Sequence, residues 1–424
     1  MKKYNLNNLD VNVFEHVCKN GLRVYLIPRK DIRSFYATFN VKYGSNILKF
    51  KLNDETIEIP KGTAHFLEHK MFEQESGETP FDFYASRGLD CNASTNNSKT
   101  NYLFSGNDFF EESLNYLLDY VQKPYFTDEN VQKEKGIIEQ EILMYEDEPC
   151  QKLYDKSFFN TYSNHSIRYS VGGTVSDIKK ITKDILDKTY QAFYRPDNMF
   201  LVISGNFDIK KAIKIIDKNQ NEKTFPEVKV EVVKEEEPLE VYKKREEFVG
   251  NVYISKFALN FKIPVKNLNE KISKWPKYLF FYLESVLGST SKLKEELMAA
   301  NLIASELGFD IVKADDYCSI LITGETDRYD EVIEAVLNAL KKYKFNQKEF
   351  ILNKKALKSS YVYMSDNIYS LNSLIAGQLI EYDKINQNIY LDVDKMNQKE
   401  YNDVVSQVDF DNYSVVVIKK TEKK

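Results

Sequence analysis

Cysteine is scarce and scattered in this chain of 424 residues: Cys18, Cys91, Cys150 and Cys318 form no CxxC pair. A disulfide-built secreted scaffold or a zinc finger, both of which need paired or clustered thiols, is thereby excluded. A surplus of one charge is missing as well. The 59 Lys and Arg face 64 Asp and Glu, a formal net charge of -5, so the basic excess of a nucleic-acid binder is absent and no nucleic-acid partner is expected. No run of 18 apolar residues occurs, which predicts no membrane span. The opening MKKYNLNNLDVNVFEH has lysines with no apolar core behind them and does not read as a signal peptide. These absences point to a cytoplasmic protein.

What is present suits a folded chain of more than one lobe. Hydrophobic residues make up 42% and aromatics 13%, ample for real cores, and the length exceeds the roughly 100–200 residues of one ordinary domain. The first 45 residues read as strands, with Asn20-Gly21 ahead of the alternating run LRVYLIP. From Gly62 the period changes to that of a helix, AHFLEHKMFEQ, and a second helix is expected from Thr79-Pro80 to Gly88. CNASTNNSKTNYLFSG reads as two strands around Asn96-Asn97. Helices are expected over 108–122, 127–147 (closed by Pro149) and 182–194, then the strand MFLVISG and a helix from Asp208. A charged stretch with two prolines, 221–248, is the expected linker. After it come a strand at NVYISKFAL, a helix over 269–286, a strand pair over 302–324, helices over 328–342 and 347–365, and a last strand YSVVVIKK. The fold class expected is α+β, with two related lobes, 1–220 and 249–424. Each would be a mostly antiparallel sheet with helices on one face.

The sharpest feature is His65-Phe66-Leu67-Glu68-His69. On a helix, positions i and i+4 share a face, so both imidazoles can reach one ion, and Glu68 at i+3 can act beside it as a general base. A catalytic zinc needs a third protein ligand. The helix around 129–146 offers Glu134, Glu139, Glu141 and Glu146, and spacing alone does not choose among them.

GTAHFLEHKMF, followed some seventy residues later by KEKGIIEQEI, resembles the pitrilysin/insulinase family of zinc peptidases, which includes processing peptidases. CNASTNNSKTNYLFS, GGTVSDIKKIT and FYRPDNMFLVISGNFD resemble further stations of that family in the same order. The resemblance covers residues 20–210 well and the second half more loosely. It implies one Zn2+ per chain held by His65, His69 and Glu141, with Glu134 as the supporting acid and Glu68 as catalytic base. It also implies that Asn92, Ala93 and Ser94 lie on an edge strand along which a peptide substrate adds.

The family's arrangement is a clamshell of two similar halves, of which this chain would supply one. Many members carry an Arg and a Tyr in the second lobe to hold the scissile carbonyl. The matching stretch LMAANLIAS has Met298 and Ala304 there, neither of which can donate a hydrogen bond. One explanation is a shifted alignment, with Lys292, Lys294 or Tyr317 serving instead. The favoured one is a dimer with a paralogous subunit that supplies the Arg/Tyr pair, with a homodimer otherwise. The function expected is a zinc-dependent endopeptidase acting on peptides or small unfolded polypeptides. The alternative is a zinc-binding, non-catalytic assembly or chaperone-like subunit.

Overall fold

In the computed structural model, which describes residues 1–265 and 274–421, the chain forms two compact units. The first gathers Met1–Ile142, Ser170–Lys234 and Lys358–Asp392; the second gathers Leu143–Tyr169, Glu235–Leu357 and Val393–Lys424. The division thus differs from the boundaries 1–220 and 249–424, because each unit contains a helix drawn from the other half of the sequence.

The first unit is built on a seven-stranded sheet. Its order is Lys2–Leu6, Val11–Val17, Arg23–Pro28, Met199–Gly205, Phe35–Val41, Thr100–Gly106 and Asp90–Thr95. All neighbours are antiparallel except Arg23–Pro28 and Met199–Gly205, which run parallel. Apolar side chains from one sheet face, among them Phe35, Ala37, Phe39, Tyr102 and Phe104, share a core with Phe66, Leu67, Leu117, Ile138, Leu186 and Ile216 from helices. The helix Ile368–Tyr382 lies against Phe35–Val41 and Met199–Gly205 as well. Its Asn372 accepts from Thr38 Oγ1 at 2.7 Å and donates to the Val202 carbonyl at 2.9 Å. Every residue of Met199–Gly205 is consequently buried, as the unbroken apolar run MFLVI requires.

The second unit repeats the plan with five strands: Arg245–Gly250, Tyr413–Lys420, Lys256–Pro264, Tyr317–Glu325 and Gly308–Ala314. Again one pair, Arg245–Gly250 with Tyr413–Lys420, is parallel and the rest antiparallel. The helix Pro149–Thr161 packs here, with Leu153 and Phe158 joining Ala258, Leu321 and Val416. Pro149 opens that helix after the preceding one ends at Glu146. Proline lacks the N–H that a first turn leaves unpaired anyway, and the Glu148 carboxylate caps Cys150 N at 3.2 Å.

The charged stretch 221–248 is more structured than a linker. Its alternating valines put Val230–Val232 beside Lys49–Leu52, and Arg245–Gly250 is an edge strand of the second sheet. Glu237 is almost fully buried and accepts from the backbone N–H groups of Ser163, Asn164 and His165 at 2.7–2.8 Å and from Lys262 Nζ. The strand expected from Asn251 begins at Lys256. The helix expected over 269–286 is seen as Trp275–Leu287, with residues 269–273 outside the described ones. The strand pair expected over 302–324 begins at Gly308.

Candidate metal centre

The motif occupies the short helix Thr63–Lys70 of the first unit. Phe66, Leu67 and Met71 are fully buried and anchor it to the core, which turns His65, Glu68 and His69 toward the long helix Asp128–Glu146 and the edge strand Asp90–Thr95. The helix start depends on close backbone packing. Gly62 has φ +82°, and a Cβ there would lie 2.3 Å from the Gly172 carbonyl oxygen, while one on Gly173 (φ +71°) would lie 2.6 Å from that of Lys61. Only glycines permit this left-handed, side-chain-free approach, and it sets His65 beside the GGT turn.

His65, His69 and Glu141 each bring a donor atom within 4.8 Å of the others. His65 Nε2 is 3.7 Å from one Glu141 carboxylate oxygen and His69 Nε2 is 3.3 Å from the other. His69 Nδ1 lies 3.0 Å from Glu134 Oε1. With Nδ1 held by Glu134, Nε2 is the atom that would exchange its proton for an ion, the usual carboxylate–histidine pairing behind a metal. His65 Nδ1 is buried with no hydrogen-bond partner among the described residues. Glu68 stands beside the three. Its carboxylate accepts from Thr95 Oγ1 at 2.5 Å.

Electrostatics fit the same arrangement. Burial and the charge of His69 lower the His65 pKa to about 4. Burial opposes the charge on His69 too, but the Glu134 and Glu141 carboxylates override it and raise its pKa to about 9. Burial raises Glu68, against the Thr95 hydrogen bond, whereas the hydrogen bond from His69 lowers Glu141. Two imidazoles and a carboxylate converging in a partly buried spot are the donor set of a catalytic zinc. The residues present fit such an ion.

Helix phase separates the candidate glutamates. The inward face of Asp128–Glu146 carries Asn130, Val131, Glu134, Ile138 and Ile142, and Glu141 flanks that stripe. Glu139 points away to Lys179 Nζ at 3.4 Å, and Glu146 is exposed. Asn92, Ala93 and Ser94 lie on the outermost strand of the sheet, paired on one side only with Leu103, Tyr102 and Asn101. Asn92 and Ser94 face solvent. The Ala93 N–H is occupied by its neighbour's Asn92 Oδ1 at 2.8 Å, a local cap on an otherwise open edge. Sequence reasoning missed Thr95. Its signal was in hand, since it ends the run CNAST and shares a strand face with Ala93.

Met298 and Ala304 are both exposed, in the second unit. The substitutes considered for them are otherwise engaged: Tyr317 OH donates to the Glu237 carbonyl at 2.7 Å, Lys294 Nζ pairs with Glu306, and Lys292 Nζ lies 3.2 Å from Glu296.

Comparison with known proteins identifies the family. Residues 55–175 match the family model "Insulinase (Peptidase family M16)", and residues 180–357 match "Peptidase M16 inactive domain". The chain is 37% identical over 347 residues to a Bacillus subtilis (strain 168) protein described as the uncharacterized zinc protease YmfH, covering 80% of each. It superposes on an M16-like peptidase from Alicyclobacillus acidocaldarius with a TM-score of 0.91 at 27% identity, over 98% of this chain and 100% of that one. The periplasmic protease PqqL of Escherichia coli shares the fold at 17% identity and a TM-score of 0.71, over 100% of this chain but 48% of that one. Among the described residues no helix is long and apolar enough to cross a membrane. By the two family models and the Bacillus subtilis relative, the chain belongs to peptidase family M16, the pitrilysin/insulinase family.

Proposed function

We propose that this chain is the metal-bearing subunit of a zinc-dependent endopeptidase that cleaves peptides or small unfolded polypeptides. The observation that carries the reading is the convergence of His65, His69 and Glu141 beside the buried carboxylate of Glu68. His65 Nε2, His69 Nε2 and the Glu141 carboxylate would hold one zinc ion, with Glu134 orienting His69. Once bound, zinc would supply Lewis acidity there, toward water and a peptide carbonyl. Glu68 accepts the proton of the attacking water on its carboxylate and returns it to the leaving amine, while Thr95 fixes the carboxylate's rotamer. Asn92, Ala93 and Ser94 offer the free edge of their strand to the substrate backbone, whose added-strand pairing gives affinity with little sequence preference. Pairing along Ala93 requires the Asn92 side chain to swing off its neighbour's N–H.

The reading includes a partner. Neither Met298 nor Ala304 can steady a developing oxyanion, a task for which one donor is worth about 2.7–4 kcal/mol. A paralogous chain that supplies an Arg and a Tyr would complete the enzyme, the two chains closing around a clamshell chamber in the cytoplasm; a homodimer is the simpler variant. PqqL, about twice as long as this chain, supports the pairing of two such halves. The same two residues favour a second reading, a zinc-binding assembly or chaperone-like subunit without turnover.

The deciding experiment is Glu68→Gln in the chain, assayed on a quenched peptide alone and with any co-purifying homologue. Wild-type turnover should fall about 10²–10⁴-fold with zinc content unchanged. Undiminished turnover in the variant sinks the role of Glu68, and no turnover by the wild type in either preparation selects the second reading.

A further inference from the structure

A second set of metal-ligand atoms lies elsewhere in the first unit. His16, Cys18 and Asp217 bring a nitrogen, a sulfur and a carboxylate oxygen within 4.8 Å of one another. The sequence sets up two of them: His16 and Cys18 are separated by one residue at the end of the strand Val11–Val17, and residues two apart on a strand point to the same side. Val17 between them is exposed on the opposite side. The tight turn that follows fixes Cys18, whose N–H donates to the Leu22 carbonyl at 2.9 Å and whose carbonyl accepts from Gly21 N at 3.0 Å. Asp217 comes from the helix Ile209–Asn221, held in place by buried Ala212 and Ile216. His16 Nε2 and Asp217 Oδ1 are 2.7 Å apart.

We propose that His16, Cys18 and Asp217 form a second site for a divalent cation of the zinc type, which ties the hairpin Val11–Pro28 to the helix Ile209–Asn221. The donor chemistry selects the cation. Thiolate and imidazole together favour zinc over magnesium or calcium. Charge closes as well: a thiolate and a carboxylate balance a divalent ion, leaving a neutral cluster in a partly buried place where net charge is costly. Without a cation, a cysteine thiol carries its proton at neutral pH. Binding therefore replaces the sulfur–hydrogen bond with a sulfur–metal bond and releases one proton to solvent. The motif helix site contains no sulfur, which gives the two sites different spectroscopic signatures.

The test uses the full chain loaded with Co2+ and, in parallel, with Zn2+ followed by exhaustive dialysis. The cobalt protein should show a near-ultraviolet thiolate-to-metal charge-transfer band that survives in His69→Ala and disappears in Cys18→Ser. Bound zinc, measured by mass spectrometry, should be about two ions per chain and fall to about one in either variant. His16→Ala, at a more exposed position, gives the same loss should Cys18→Ser prove poorly folded by circular dichroism. A wild-type protein without the band, or a band that persists in Cys18→Ser and His16→Ala, overturns the second site and leaves the peptidase reading untouched. Loss of zinc from the motif site alone would instead appear as a missing ion with the band intact.

Discussion

The two units share a sheet plan, yet differ at the point where the motif stands. In each, a central strand leads through helices to an edge hairpin: Phe35–Val41 to Asp90–Gly106 in the first, Lys256–Pro264 to Gly308–Glu325 in the second. Among the described residues, the first helix on that path is TAHFLEHK in the first unit and WPKYLFFYLESVL in the second. The former buries Phe66 and Leu67 together with Glu68 and holds His65 and His69 half-buried beside it. The latter buries Trp275, Tyr278, Leu279, Phe281, Tyr282, Leu283, Val286 and Leu287 on nearly every side. An element of one topology thus holds a costly cluster of buried polar groups in one copy and serves as core in the other. Buried polar groups destabilise unless they are paired, and in the first copy pairing comes from Thr95, Glu134 and Glu141.

The largest test of that contrast is a truncation in the core-forming helix. Phe281→Ala removes a fully buried ring that packs edge-on against Phe350 at 5.7 Å and should cost about 3–5 kcal/mol of stability. Urea unfolding followed through Trp275, the chain's single tryptophan, reads the loss. Zinc content of the folded variant should match wild type. A variant that folds but no longer holds zinc would show that the second unit contributes to the metal centre.

A smaller effect is expected on the other side of the comparison. Glu134→Gln keeps a hydrogen-bond acceptor near His69 Nδ1 but removes the charge, and should weaken zinc affinity or turnover about 10–100-fold with thermal stability nearly unchanged. Competition with a chromophoric chelator measures it. Equal affinity in variant and wild type would reduce Glu134 to a buried acid with no influence on the metal.

Those residues also show what was legible beforehand. The motif, the helix start at Thr79-Pro80 and the hairpin around Asn96-Asn97 were readable because periodicity and turn chemistry are local, though that helix ends at Ala85 rather than at Gly88. The choice of Glu141 over Glu139 was not, since it depends on which face of Asp128–Glu146 meets the core. The contact of Thr95 with Glu68 required the strand and the helix to be placed together. The exchange of Pro149–Thr161 and Ile368–Tyr382 between units was hidden for the same reason. Amphipathic helices reveal that they will be buried, and the partner sheet is decided by tertiary packing. The chain does pass from one unit to the other at Lys234–Glu235, inside the expected linker, but its strands were missed because charge masked the valine alternation of VKVEVV, a pattern that suits an edge strand.

The smallest prediction sits at the second unit's counterpart of the Thr95–Glu68 corner. There the edge strand Gly308–Ala314 puts Lys313 Nζ 5.1 Å from the centre of the Trp275 ring, so a cation meets an aromatic where the first unit has a hydroxyl meeting a carboxylate. Burial lowers the Lys313 pKa from its ordinary 10.5 to about 8. Between those values the unfolded chain holds the proton that the folded chain has released, so stability rises with pH across that window. The penalty of the buried charge is fully present below about pH 8 and gone above about 10.5. Lys313→Met keeps contact with the ring and should be more stable than wild type at pH 7 by about 1–2 kcal/mol, a figure already reduced for the side chain's partial exposure. Denaturation of both proteins across pH 7–10.5 should show that advantage shrinking toward zero. A difference that stays constant with pH would mean that Lys313 carries its proton throughout and that the corner is held by the cation on the ring.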